Sequence, residues 1–228
     1  MDLIKINNCS DKQQIALLYS DINLFIFIKN PSEKVQLAAI KLRYDCFNLI
    51  KNPSEKVQRK AVSIYSNLIR YIKNPSEKVQ IEAVQNNGYS LRYIKNPSEK
   101  VQLAAIKQNG YTIQYINNPS EKMQLVAVKQ NGYAIQYIKD PSEKVQLEAI
   151  KDSIQVIEHI LYPTKKVQLK VMREAQYCTY FHPNMAPEIK GEIKKKASSI
   201  LDLSPNSVEY IESLLDTAPN SVEYIEDL

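Results

Sequence analysis

A proline returns every 22 residues, at positions 31, 53, 75, 97, 119, 141 and 163. No feature of the chain constrains its fold more. The words around it return too: NPSEKVQLAAI at 30–40, NPSEKVQIEAV at 74–84 and NPSEKMQLVAV at 118–128. A worn copy, NCSDKQQIALL at 8–18, carries Cys9 where proline would stand. A fixed period of this size marks an array of one supersecondary unit, in which each unit covers its neighbour's apolar face.

Each unit reads as two helices. In NPSE the Asn (Asp140 in one copy) is expected as N-cap and Pro as the first helical residue, with Glu two places on reaching back to the cap amide. Asn87-Gly88, Asn109-Gly110 and Asn131-Gly132 are expected to end the first helix, glycine taking the left-handed conformation cheaply. A second helix such as YTIQYIN at 111–117 then runs to the next proline.

At about 100° per residue, four columns of the first helix form one apolar arc. Valine (Val35, Val57, Val79, Val101, Met123, Val145) and alanine (Ala39, Ala61, Ala83, Ala105, Ala127, Ala149) lie close together. The column from Ile40 to Ile150 and a mostly leucine column from Leu37 to Leu147 complete it. In the second helix Phe47, Ile69, Leu91, Ile113, Ile135 and Ile157 pair with Ile50, Ile72, Ile94, Ile116, Ile138 and Ile160. A single hairpin cannot bury so wide a face, which is the physical case for stacking. One glutamine per unit (36, 58, 80, 102, 124, 146, 168, with Gln14 in the worn copy) falls inside the arc. Its amide needs a partner, expected in the backbone of the adjoining hairpin.

The fold expected is therefore all-α: an α-solenoid of about eight two-helix hairpins with a diverged C-terminal helical cap. Residues 1–29 read as a degenerate N-terminal unit, 30–176 as the array and 177–228 as the acidic cap. Residues 199–228 hold seven acidic side chains and neither Lys nor Arg, leaving 30 basic against 18 acidic groups elsewhere. That asymmetry leaves an acidic protein surface or nucleic acid open as a partner.

Candidate contact residues lie opposite the apolar stripe of the second helix. Tyr89, Tyr111 and Tyr133 form one column and Tyr71, Tyr93, Tyr115 and Tyr137 another, four residues apart and so expected on one face. Between them runs a variable polar column that includes Arg70, Arg92, Gln114 and Gln136. Tyrosine and arginine are enriched where interfaces gain most of their energy. Lysines at 34, 56, 78, 100, 122, 144 and 166 face the other way, and such a face could track phosphates. An acidic end meeting another copy's basic body would make a self-assembling module.

No phosphate-cradling glycine loop, HExxH, CxxC pair or GxSxG occurs. The expectation is a non-enzymatic protein without cofactor or metal. Its three cysteines are far apart, and its apolar runs fall short of a membrane span. Cytoplasmic location follows as an expectation, with protein or ribonucleoprotein as partner and the oligomeric state open.

The unit NPSEKVQLAAIKQNGYTIQYIN at 96–117 resembles the short HEAT-like α-helical repeats of bacterial and phage proteins. The resemblance spans residues 8–176. It implies a binding scaffold. For a phage-encoded copy it implies action in the host cytoplasm, with inhibition of a host defence complex, as by an anti-CRISPR protein, as the specific role.

Overall fold

The computed structural model describes residues 6–174, all of whose regular structure is helical. The expected cap at 177–228 lies outside the described residues. Eight α-helices alternate with seven short ones among the described residues. The α-helices are Asp11–Ser20, Glu33–Leu42, Glu55–Ile64, Glu77–Asn86, Glu99–Gln108, Glu121–Gln130, Glu143–Ala149 and Lys165–Glu174. The short helices, six residues each, are Ile22–Phe27, Tyr44–Leu49, Ser66–Tyr71, Gly88–Tyr93, Gly110–Tyr115, Gly132–Tyr137 and Ile154–His159. The chain divides into two compact parts, residues 1–116 and 117–228. Within each, hairpins pack on their neighbours in sequence. This is the α-solenoid arrangement.

The local start of each unit differs from expectation. Serine, not asparagine, is the N-cap: the hydroxyls of Ser32, Ser54, Ser76 and Ser98 accept the N–H of Val35, Val57, Val79 and Val101 at 3.3–3.4 Å. Glutamate is then the first helical residue and valine the third, so no capping box forms with glutamate. The worn unit does have one, between Ser10 and Gln13. The Asn before proline has another task. Asn52, Asn74, Asn96, Asn118 and Asp140 sit at φ of 50–55°, in the left-handed region. Asn and Asp tolerate that region better than other side chains.

Glycine is also used otherwise than expected. Among the described residues none has positive φ, and the α-helix ends on extended Asn87, Asn109 or Asn131. A Cβ on Gly88 would stand 2.8 Å from the carbonyl oxygen of Ala105, and one on Gly132 would fall against that of Ala149. Glycine is there to admit the next unit's backbone.

The second helix is a 3-10 helix, not an α-helix, and stops before the isoleucine that precedes the Lys-Asn link. A short segment suits this tighter winding. It presents Ile113 and the extended Ile116 to the core in one unit, and Ile135 and Ile138 in another.

The apolar columns are buried as expected: every valine and alanine of the first two is at most 1 % exposed, and Met123 5 %. The leucine column is only half-buried. The glutamines, however, bond within their own unit. Gln36, Gln58, Gln80, Gln102, Gln124, Gln146 and Gln168 each donate Nε2 to the carbonyl of the proline five residues earlier, at 2.8–3.1 Å. That carbonyl lies outside the helix ladder and would otherwise go unmet. At Gln146 the amide does reach the next unit as well, donating to the Tyr162 carbonyl and accepting from Thr164 N–H.

What links neighbours is the glutamate of NPSE. Glu33 accepts the Ser54 hydroxyl at 2.7 Å and the Lys56 ammonium at 2.7 Å, and Glu77 does the same with Ser98 and Lys100. In the C-terminal part Glu121 takes the Ser142 hydroxyl, and Glu143 pairs with Lys166. The cap serine thus accepts from its own helix and donates to the preceding unit.

Candidate binding faces

Winding decides which side chains share a face. In a 3-10 helix residues three apart eclipse one another, so the first tyrosine of a unit shares its column with the Arg or Gln three places on. Ring contacts join neighbouring units. Tyr89 packs edge-on against Tyr115 at 6.2 Å between centroids, and in the C-terminal part Tyr133 meets His159 at 5.3 Å. Tyr89, Tyr111 and Tyr133 are half-buried. Gln114 and Gln136 donate back to the carbonyls of Tyr111 and Tyr133, three residues earlier. Those amide groups therefore serve the short helix.

Arginine at the same position behaves differently. Arg70 donates to the Tyr71 hydroxyl at 2.6 Å, and its guanidinium carbon stands 4.6 Å from the Tyr71 ring centroid and 5.9 Å from that of Tyr93. Arg92 repeats this on Tyr93, at 2.6 Å and 4.6 Å. The hydrogen bond to Tyr71 raises Arg70 above the usual arginine value, and the bond to Tyr93 raises Arg92. Both remain charged and exposed. Cation–π contact restrains each side chain, so a partner's carboxylate would meet a fork already oriented. Tyr71, 51 % exposed, and the half-buried Tyr93 complete the strip. Tyr137 is also exposed, in the C-terminal part.

Sequence reasoning starts the polar column at Asn48 but passes over its further extension and that of the Tyr column. The 22-residue spacing carries the Arg column back through Asn48 to Ile26, and the Tyr column back to Leu49 and Phe27. Ile26 is 58 % exposed, Phe27 38 % and Leu49 51 %. The period itself was the signal that could have found them.

The α-helical side carries the lysines. Lys56, Lys100 and Lys166 are neutralised by the preceding unit's glutamate. One groove of about 540 Å³ opens there, lined by Leu37, Lys41, Lys56, Arg59, Lys60 and Glu82 among others. Arg59 stands where other units have leucine or isoleucine, and it pairs with Glu82 at 2.9 Å. Among the described residues no three His, Cys, Asp or Glu side chains cluster to hold a metal ion, and no helix is long and apolar enough to cross a membrane.

No family model matches the chain, and no curated protein or solved structure does so either.

Proposed function

We propose that the chain is a non-enzymatic scaffold that holds a protein partner on its short-helix face. The observation that supports this is the exposed Arg70–Tyr71–Arg92–Tyr93 ladder, in which two guanidinium groups are oriented by tyrosines. Oriented Arg and Tyr side chains gain contacts with little loss of freedom on binding, which is how a few residues dominate an interface. The inhibition of a host defence complex is the narrower form of this reading, and it requires the partner to be a subunit of such a complex.

The test is capture. The tagged chain is passed over host lysate and the bound proteins identified. Arg70→Ala with Tyr71→Ala is expected to lose the specific partner by tenfold or more, a deficit of about 1.4 kcal/mol, while circular dichroism stays unchanged. Full retention of the partner by this double variant overturns the assignment. The groove around Lys60 favours a second reading, an anionic or ribonucleoprotein ligand on the α-helical side. That reading requires steep weakening with salt and sensitivity to Lys41→Ala and Lys60→Ala in place of Arg70.

A further inference from the structure

We infer that the short-helix face of residues 22–115 takes a polypeptide segment with apolar side chains at one end and carboxylates at the other. This rests on the scaffold reading and names the chemistry of its partner.

The argument starts from the repeat. The five short helices from Ile22–Phe27 to Gly110–Tyr115 have the same length and the same 22-residue register. Their fifth and sixth residues are therefore equivalent positions, and only the side chains change along the row. The fifth position reads Ile26, Asn48, Arg70, Arg92, Gln114; the sixth reads Phe27, Leu49, Tyr71, Tyr93, Tyr115. The row is apolar at its start and cationic-aromatic in its later units.

Neither end is explained by folding. The isoleucine and phenylalanine that belong to the core, such as Ile69 and Phe47, are nearly covered, whereas Ile26, Phe27 and Leu49 are not. Single exposed apolar residues are ordinary, but three at the fifth and sixth positions of two successive short helices are a concentration of the kind that marks a contact site. At the other end, Arg43 and Arg59 have carboxylate partners in Asp45 and Glu82, while Arg70 and Arg92 are held only by tyrosine. Their charge awaits an acceptor.

A polypeptide fits this order better than a nucleic acid does. Nucleic acid brings a phosphate with every residue, so its charge would run on over Ile26, Phe27 and Leu49, where nothing complements it. A peptide can place leucine-like side chains over that patch and aspartate or glutamate beside the two guanidinium groups, where a bidentate pair is available.

The experiment uses the full chain and fluorescein-labelled peptides of about twelve residues, long enough to engage several units. One peptide has a Leu/Ile block joined to an Asp/Glu block, made in both chain directions. The controls are the same composition scrambled, an acidic peptide with serine for the apolar block, and single-stranded DNA of equal length. One direction of the block peptide is expected to bind at least about tenfold tighter than every control. Arg70→Gln with Arg92→Gln should remove that advantage and flatten its salt dependence. Ile26→Ser with Leu49→Ser should weaken binding about tenfold while leaving the salt dependence intact. Equal binding of scrambled and block peptides, tighter binding of the DNA, or indifference to both double variants overturns the inference. If lysate capture still depends on Arg70 and Tyr71 in that event, the scaffold reading stands and only the partner's chemistry is wrong.

Discussion

Two kinds of hairpin corner in this molecule can be set side by side. In the units that begin at residues 74, 96 and 118, the corner is Asn-Gly. The Asn87, Asn109 and Asn131 side chains accept the N–H of Tyr89, Tyr111 and Tyr133 at 3.0 Å and so cap the short helix. In the units at 30 and 52 the corner is Arg43-Tyr44 or Tyr65-Ser66. There the short helix has no side-chain cap, and Leu42, Tyr44, Ile64 and Tyr65 are exposed, with Tyr44 and Tyr65 rings 4.6 Å apart. The backbone is the same in both kinds. Val57, Ala61 and Val62 are as fully buried as Val101, Ala105 and Ile106. The hairpin is thus set by its core columns, and the corner is free to vary where the neighbouring backbone keeps its distance.

The sharpest way to break that comparison is Gly132→Ala. The new methyl would fall against the Ala149 backbone oxygen, which cannot swing aside as a side chain can. A loss of about 3 kcal/mol is expected, at the upper end of overpacking costs, read as a lowered urea midpoint. The reciprocal change, Ser66→Gly in an N-terminal corner, should cost no more than about 1 kcal/mol, the backbone-entropy term alone. Equal losses would mean that the two corners are not packed differently.

The same contrast shows what could be read before the structure and what could not. The period, the number of units and the buried columns at Val35, Ala39 and Ile40 and their equivalents followed from spacing alone, because a 22-residue repeat shows each core position seven times. The N-cap did not follow, because Asn and Ser are both good caps and NPSE offers both. The winding of the second helix did not follow either: over six residues, periods of 3 and 3.6 differ by too little to separate. The glutamine's direction was legible, but its reach was not. A wheel places Gln102 inside the arc without showing that its amide turns back to the Pro97 carbonyl. For the candidate site, Arg70, Tyr71, Arg92 and Tyr93 were legible as a repeated polar-aromatic pair. Their restraint by cation–π contact, and the exposure of Ile26 and Leu49, needed coordinates.

A smaller effect separates the first unit boundary from those at Asn52, Asn74, Asn96, Asn118 and Asp140. Asn96 is left-handed, whereas Asn30, at the first boundary, is not among the positive-φ residues. Asn96→Ala is expected to cost about 1 kcal/mol, the steric penalty of a Cβ without a helpful amide, and Asn96→Gly to be nearly neutral or slightly stabilising. Asn30→Ala should show none of that penalty. Thermal melts of the three variants decide the matter. A loss at position 30 equal to that at 96 would remove the distinction.

The smallest expected effect tests the links between units. Glu77 lies below the usual carboxylate range, chiefly through the Ser98 hydroxyl and then the Lys100 ammonium, and Glu33 is lowered in the same way by Lys56 and Ser54. A carboxylate lowered in the folded state stabilises it above the ordinary value, and that stability is lost as pH falls through the lowered value. The links are therefore complete at neutral pH and fade only in acid. Both carboxylates are exposed to solvent, and such pairs contribute little. Glu77→Gln should accordingly leave the neutral-pH midpoint almost where it was while reducing the fall in stability on acidification. A carbon-13 titration of the glutamate carboxyls, paired with urea melts from neutral to acid pH, checks this. An acid limb for Glu77→Gln indistinguishable from that of the parent chain would show that the glutamate ladder adds nothing to stacking, and that the apolar columns alone hold one unit to the next.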